Sequence, residues 1–251
     1  MNKMPFYSIA LFALLVVVWE LVAKGMSELV LPTPSVILVT LWDGMKSGYY
    51  TPHILQTTAE ILLGLLLGSL LGLLTGILLG EISFLRKLLL PYVIASQAVP
   101  KVALAPLFII WFGFGMTSKV VITALICFFP LLENTITAIQ YVDPKKQELF
   151  RVLGATRFQM LFKLKIPAGL PGIMAGFRVA TVLAVVGAVV GEFLGGSKGL
   201  GALIVASQGM MDTPLMFSIL ILLTLIGTIL YQSISLIERK LLKPYLKEKN
   251  K

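Results

Sequence analysis

Residues 54–80 read ILQTTAEILLGLLLGSLLGLLTGILLG, a Leu and Ile run interrupted by Gly64, Gly68, Gly72, Gly76 and Gly80 at every fourth position. A hydrocarbon core of about 30 Å takes about 20 helical residues, so this run is long enough to cross a bilayer. Glycines four apart fall on one helical face, where the missing side chains let a second helix approach closely. That face reads as packing and needs no ligand. An unbroken apolar run also lacks the period of two of a barrel strand, so the fold it dictates is α-helical.

Five further apolar runs flank it, at residues 6–23, 88–112, 120–139, 171–193 and 215–237. The expectation is an all-α polytopic membrane protein, a single transmembrane domain over residues 1–251 with six spans. Composition agrees: 57% of residues are hydrophobic, 13% are charged and the mean hydropathy is +0.94, well above a soluble domain, whose apolar share is about one half. The first run has the charge and apolar stretch of a secretion signal but no small-residue cleavage site, and it reads as a retained span. No repeat of the kind that builds inverted transporter halves is visible. One six-helix bundle is small for a complete pathway, which points to a second copy or another subunit.

The net charge of +9 could signal a nucleic-acid surface, but its placement follows topology instead. With the N-terminus inside, Lys3, Arg86, Lys87, the six basic residues between Lys145 and Lys165, and those from Arg239 to Lys251 all face the cytoplasm. Only Lys24, Lys46, Lys119 and Lys198 fall in outer loops, as the positive-inside rule requires. Both termini are then cytoplasmic.

Few residues offer chemistry. Cys127 lies alone in an apolar run and reads as packing, and His53 has no Cys or acidic neighbours to make a metal site. The segment GGSKGLG, 195–201, lacks the Walker pattern, since no Gly-Lys pair occurs anywhere in the chain, so a P-loop for ATP is excluded. Outside the first span, Pro32 and Pro34 break any helix and residues 36–45 form a short amphipathic stretch at the outer interface.

The third run carries Pro91, Pro100 and Pro106 with Gln97 and Lys101 near its middle, so this helix must be kinked or broken. Irregular backbone and charge at that depth are tolerated only beside protein or a water-filled cavity. Gln97, Pro100 and Lys101 are therefore pathway candidates, with Glu133 and Glu192. In the competing reading Lys101 snorkels, or pairs with a carboxylate such as Glu133 or Glu192, as a purely structural contact. Glu192 near the outer face and Arg178 near the inner face read as anchors.

Between the fourth and fifth spans lies DPKKQELFRVLGATRFQMLFKLKIPAG, residues 143–169, too charged to cross. Asp143 is a good N-cap with Pro144 at the first helical position, and Leu149, Val152, Leu153 and Thr156 follow on one face. Gly154 can take the positive φ that ends this helix; residues 155–165 form a second short helix, which Pro167 stops. The basic residues alone would suit a helix lying on anionic lipid.

This segment resembles the cytoplasmic loop of ATP-binding cassette (ABC) importer permeases, which carries Glu-Ala-Ala, three residues, Gly, nine residues, then Ile-x-Leu-Pro. Glu148, Gly154, Leu164, Ile166 and Pro167 fall at those spacings, while Leu149 and Phe150 replace the two alanines. LPTPSVI at 31–37, VPKVALAPLFIIWFGFG at 99–115 and GLG at 199–201 extend the resemblance over nearly the whole chain, toward the nitrate, sulfonate, taurine and thiamine-precursor branch. QAVPKVALAPL and VVGAVVGEF resemble most the importers of pyrimidine thiamine precursors or riboflavin.

The resemblance implies a type I, MetI-like bundle in a bacterial cytoplasmic membrane. Residues 143–167 would be the coupling helix docking on a separate ATPase, with Glu148 for polar docking, Gly154 for the turn, and Ala155, Thr156 and Arg157 at the contact. Its implied partners are two ABC ATPase subunits holding ATP and Mg, a second permease copy, an extracytoplasmic substrate-binding protein and the lipid bilayer; this chain itself binds no cofactor and no nucleic acid. The rival functions are a secondary transporter running on its intramembrane charges and a membrane scaffold that transports nothing.

Overall fold

The computed structural model describes residues 4–247, so Lys3, Lys249 and Lys251 of the charge pattern lie outside the described residues. In chain order the helices are α1 (Met4–Ala23), α2 (Pro34–Lys46), α3 (Thr51–Glu81), α4 (Ser83–Gln97), α5 (Ala105–Phe112), α6 (Met116–Gln140), α7 (Pro144–Val152), α8 (Arg157–Met160), α9 (Ile166–Gly195), α10 (Leu200–Gly209) and α11 (Thr213–Lys247). A 3-10 turn, Lys101–Leu104, precedes α5, and a π turn, Leu161–Lys165, joins α8 to α9. The described residues contain no strand.

Among the described residues four helices are long and apolar enough to cross a membrane: Thr51–Glu81, Met116–Gln140, the continuous stretch Arg157–Gly195 and Thr213–Lys243. The expected third span is a pair, Ser83–Gln97 and Lys101–Phe112, bent by 85°. Pro100 cannot donate a helical hydrogen bond and disfavours helix at Val99, so the chain breaks there. The first run is a shorter apolar helix, Tyr7–Ala23. A second short apolar helix is Leu200–Gly209, so the described residues hold four uninterrupted spans, or five if the bent pair is one, and not the six expected.

The core is α3 against α6 and α6 against α9. The glycine face of α3 meets α6 as its spacing predicts: a Cβ on Gly72 would lie 2.6 Å from the Phe128 carbonyl oxygen, one on Gly76 2.6 Å from Thr135 Cβ, and one on Gly80 2.8 Å from Ile139 Cβ. Only glycine permits that backbone separation, which replaces the hydrophobic driving force absent between helices in lipid. From the other side, Gly176 and Gly187 of α9 bring that helix equally close to Asn134 and Thr123 of α6. By contrast α1 turns Ile9, Phe12 and Leu15 outward and is tied down at its far end, where the Glu20 carboxylate accepts from the Ser35 N–H at 3.1 Å and hydroxyl at 2.9 Å.

Two expectations are corrected here. Pro167 stops nothing: it sits in the first turn of α9, and helix runs from Arg157 to Gly195. The π turn just before it shifts the hydrogen-bond register, so the missing N–H and the ring of Pro167 break no regular helical bond. Lys119, expected in an outer loop, lies inside α6 and is buried, because a carboxylate within α3 receives it.

Candidate functional site

Three polar regions interrupt the apolar bundle. The first is a cavity of ≈ 560 Å³ at mid-depth, where the broken ends of α4 and the 3-10 turn face α6 and α9. Gln97, Pro100, Lys101 and Glu133, four of the five pathway candidates, line it together with Phe129, Asn134, Leu183 and Val186. Lys101 Nζ sits 4.5 Å from the centroid of the Phe129 ring, a cation-on-ring contact. Among the described residues Lys101 has no ion pair with Glu133 or with Glu192, so the structural pairing of Lys101 is not what the chain builds. Asn134 spends its amide on the Pro130 carbonyl at 2.8 Å, the carbonyl four residues back.

The second region lies at the end of the bundle away from α7. Lys119 Nζ is 2.9 Å from Glu60 Oε1, both side chains being almost wholly buried. The same oxygen accepts from Gln56 Nε2 at 2.7 Å, and Lys119 also donates to the Lys198 carbonyl at 3.3 Å. Glu192, the fifth candidate, is here and not in the cavity. Its carboxylate accepts from the Thr57 hydroxyl and from the Gly201 N–H, each at 2.6 Å, so it pins the first turn of α10 to α3. Thr57 in turn accepts from the Leu200 N–H at 2.8 Å, and His53 Nδ1 lies 3.0 Å from the Gly199 carbonyl. Glu192 and His53 are anchors. At the opposite end Arg178 pairs with Glu238 at 3.2 Å, the anchoring role expected of it.

The third region is the charged segment. Asp143 caps α7 by accepting from the Lys145 N–H at 2.9 Å. Gly154 has φ +74°, and the Ala155 N–H reaches back to the Phe150 carbonyl at 2.9 Å, closing α7 with a left-handed turn. Thr156 and Gln159 then form a reciprocal capping box on α8, at 3.2 and 2.9 Å, which restarts the helix at once. Val142, Met160 and Leu164 make a small core under the turn, with Phe150 packed on it. Leu149 points away, so of the two residues that replace the alanines one is structural and the other is on the surface. Leu149, Val152, Leu153 and Phe158 are all more than half exposed, with Glu148 and Arg157 exposed beside them. At the base, Lys165 Nζ is 2.6 Å from Glu81 Oε2 at the end of α3, next to Ile166 and Pro167, where α9 begins.

Sequence reasoning missed Glu60, Phe129 and Asn134. Glu60 carried a signal, a carboxylate inside a spanning run; Asn134 adjoins Glu133 in the fourth run. Phe129 carried none, since an aromatic residue in an apolar helix is ordinary packing.

Residues 64–243 match the model of a family described as the binding-protein-dependent transport system inner membrane component. The riboflavin transport system permease protein RibX of Chloroflexus aurantiacus is 43% identical, over 92% of this chain and 87% of that protein. The formylaminopyrimidine transport permease protein ThiX of Halalkalibacterium halodurans is 36% identical over 92% of each. The putative aliphatic sulfonates transport permease protein SsuC of Bacillus subtilis is also 36% identical, over 92% of this chain and 84% of that protein. In fold, the chain is similar to a solved inward-facing MetNI methionine ABC transporter, with TM-score 0.68 at 19% identity, covering 75% of this chain and 94% of that one.

Proposed function

The chain belongs to the family of binding-protein-dependent transport system inner membrane components, as a non-enzymatic permease subunit of an ABC importer, and from that premise we propose a role for each of the three polar regions. The mid-depth cavity is the translocation pathway for a small polar solute. The segment 143–167 faces the cytoplasm and is the contact for a separate ATPase subunit; two such subunits, holding ATP and Mg, serve the two permease copies. The far end, with Glu192 and the 196–201 loop, faces the binding protein. Both termini are cytoplasmic, and a second copy of the chain completes the pathway.

The observation that carries this reading is the shape of the charged segment. A water-facing turn built from a cap, a left-handed glycine and a capping box displays Leu149, Val152 and Leu153, and it continues without interruption into the helix that lines the cavity. Exposed apolar side chains on a rigid polar turn mark a protein contact, and ATP-driven closure pressed onto that turn would bias two arrangements of the bundle. The relatives' names favour riboflavin or a pyrimidine thiamine precursor as cargo; sulfonate, taurine and nitrate are the alternatives. Family membership counts against the secondary transporter and the scaffold.

Affinity purification from the native membrane tests this. An ATPase and a binding protein should co-purify, the ligand of the latter identifying the cargo, and Glu148→Ala or Gly154→Val should lower solute-stimulated ATP hydrolysis. Solute movement by the permease alone on an ion gradient, or unchanged coupling in both variants, would refute it.

A further inference from the structure

Behind one wall of the mid-depth cavity lies a second hollow of different chemistry. It is a slot of ≈ 390 Å³ between α3, α4 and α6, and Phe129 lines both spaces. Apart from the exposed Tyr92, its polar lining is two hydroxyls, each spent on its own helix: Thr75 donates to the Leu71 carbonyl at 2.6 Å and Ser96 to the Val93 carbonyl at 2.7 Å. A hollow without free polar groups does not hold ordered water, and a polar solute would lose its hydration there without return. Hydrocarbon fits it. No residue of α4 is buried, so this helix stands off from α3 and α6, and the slot opens past Leu89 and Tyr92, both exposed.

The slot has the length of one leaflet. It begins at Leu78 and Leu79, in the last turns of α3, and reaches Phe129 at the middle of α6; along α4 it runs from Leu85 to Ser96. That stretch of α4 is about 16 Å long at 1.5 Å per residue, and half of a hydrocarbon core of about 30 Å is about 15 Å. Another protein helix is too thick for it. About 10 Å across over the same length, a helix fills on the order of 1,200 Å³, well beyond the volume of the slot.

The shallow end carries two cations. Arg86 follows Leu85 and shares a helical face with Leu89 and Val93 of the lining; one of its five donors, on Nη1, reaches the Gly80 carbonyl at 3.5 Å. Lys87 beside it is exposed. Neither has an ion pair among the described residues, and the nearby Glu81 is taken by Lys165 at 2.6 Å. An apolar slot one leaflet deep, with unpaired positive charge at its shallow end, matches a molecule that joins a hydrocarbon chain to an anionic headgroup.

We propose that the slot takes one acyl chain of an anionic phospholipid, whose headgroup sits on Arg86 and Lys87. The leaflet is the inner one on the cytoplasmic placement of residues 143–167, because the Lys165–Glu81 pair joins that segment to the same end of α3; binding itself does not depend on that placement. A chain bound there backs Phe129 from the side away from the pathway cavity and fills the gap beside the broken span.

Native mass spectrometry tests this on the permease with whatever ATPase co-purifies, stripped of bulk lipid in detergent and titrated with phosphatidylglycerol or with phosphatidylcholine of the same chains. One phosphatidylglycerol per permease chain should saturate first, preferred on the order of tenfold over phosphatidylcholine by two cations at the headgroup. Arg86→Gln combined with Lys87→Gln should bring the two lipids to within about twofold of each other. Ser96→Leu, which fills the slot, should cause loss of both lipids alike. Equal saturation by the two lipids in the wild type, an unchanged preference in the doubly substituted chain, or wild-type occupancy in Ser96→Leu overturns the proposal. Should Ser96→Leu fail to fold, Thr75→Leu fills the same slot from α3 and decides. Absence of saturable lipid in the wild type, with dimers lost in Ser96→Leu, assigns the slot to a neighbouring copy of the chain and likewise overturns it.

Discussion

Lys119→Met removes one half of an ion pair that reaches no solvent. Lys119 Nζ is 2.9 Å from Glu60 Oε1, with side-chain exposures of 4% and 0%. Without the lysine, Glu60 keeps the Gln56 amide at 2.7 Å and is left beside the Glu192 carboxyl. Stripping one partner from a buried pair costs about 3–5 kcal/mol, because an uncompensated charge remains, whereas replacing both partners by apolar groups is often neutral. For a chain of this size that is a fall of on the order of 10 °C in unfolding midpoint. The assay is a double-mutant cycle with Glu60→Leu, read by unfolding in mixed micelles. The double variant should be more stable than Lys119→Met alone, with a coupling of at least about 2 kcal/mol. Lys198→Ala is the control: Lys119 bonds only the backbone carbonyl there, so no change is expected. If Lys119→Met lies within about 1 kcal/mol of wild type, or the two single effects simply add, the pair does not hold this end of the bundle.

Gly72→Val puts a branched side chain where even a Cβ would lie 2.6 Å from the Phe128 carbonyl; a loss of about 3 kcal/mol or more and a collapse of monodisperse yield on gel filtration are expected. Gly154→Val forces a β-branched residue to φ +74°, a strain of about 1–2 kcal/mol at the turn; solute-stimulated ATP hydrolysis should fall while the unfolding midpoint of the spanning helices stays put. Val152→Asp alters a side chain that is 80% exposed, so stability should move by no more than about 0.5 kcal/mol, while the amount of co-purifying ATPase drops.

Features written within one stretch of chain were legible in the sequence. The four-residue glycine spacing announced a close helix contact, the Asp143-Pro144 and Gly154 signals announced the turn, and the prolines around Lys101 announced a break. The relations that need register between distant helices were not legible. Glu60 and Lys119 are 59 positions apart, and nothing local to either says that their helices present them to each other. Likewise the spacing around Gly154 could not say which of Leu149 and Phe150 turns inward, since that depends on where Met160 and Leu164 come back from the π turn. Pro167 misled because the rule that proline ends a helix assumes a regular register before it. The π turn removes that premise.

That π turn also decides where the proposed lever can yield. From Ile166 to Gly195 α9 is one helix, about 45 Å long, and it touches all three polar regions. Its first turn adjoins the Lys165–Glu81 pair, its middle lends Leu183 and Val186 to the cavity, and its far end carries Glu192, bonded to α3 and to the first turn of α10. A helix clamped by glycine contacts along α6 cannot absorb a push by bending gradually, because packed interiors resist it. A displacement applied at Leu149–Leu153 therefore has two compliant places to go, the π turn at one end of α9 and the 85° break beside the cavity wall. If the turn yields, the stroke is lost before the cavity. The 2.6 Å Lys165–Glu81 bond ties the end of the π turn to α3; on the proposed coupling, the broken span at Ala98–Pro100 is then the element that would yield, beside Gln97 and Lys101.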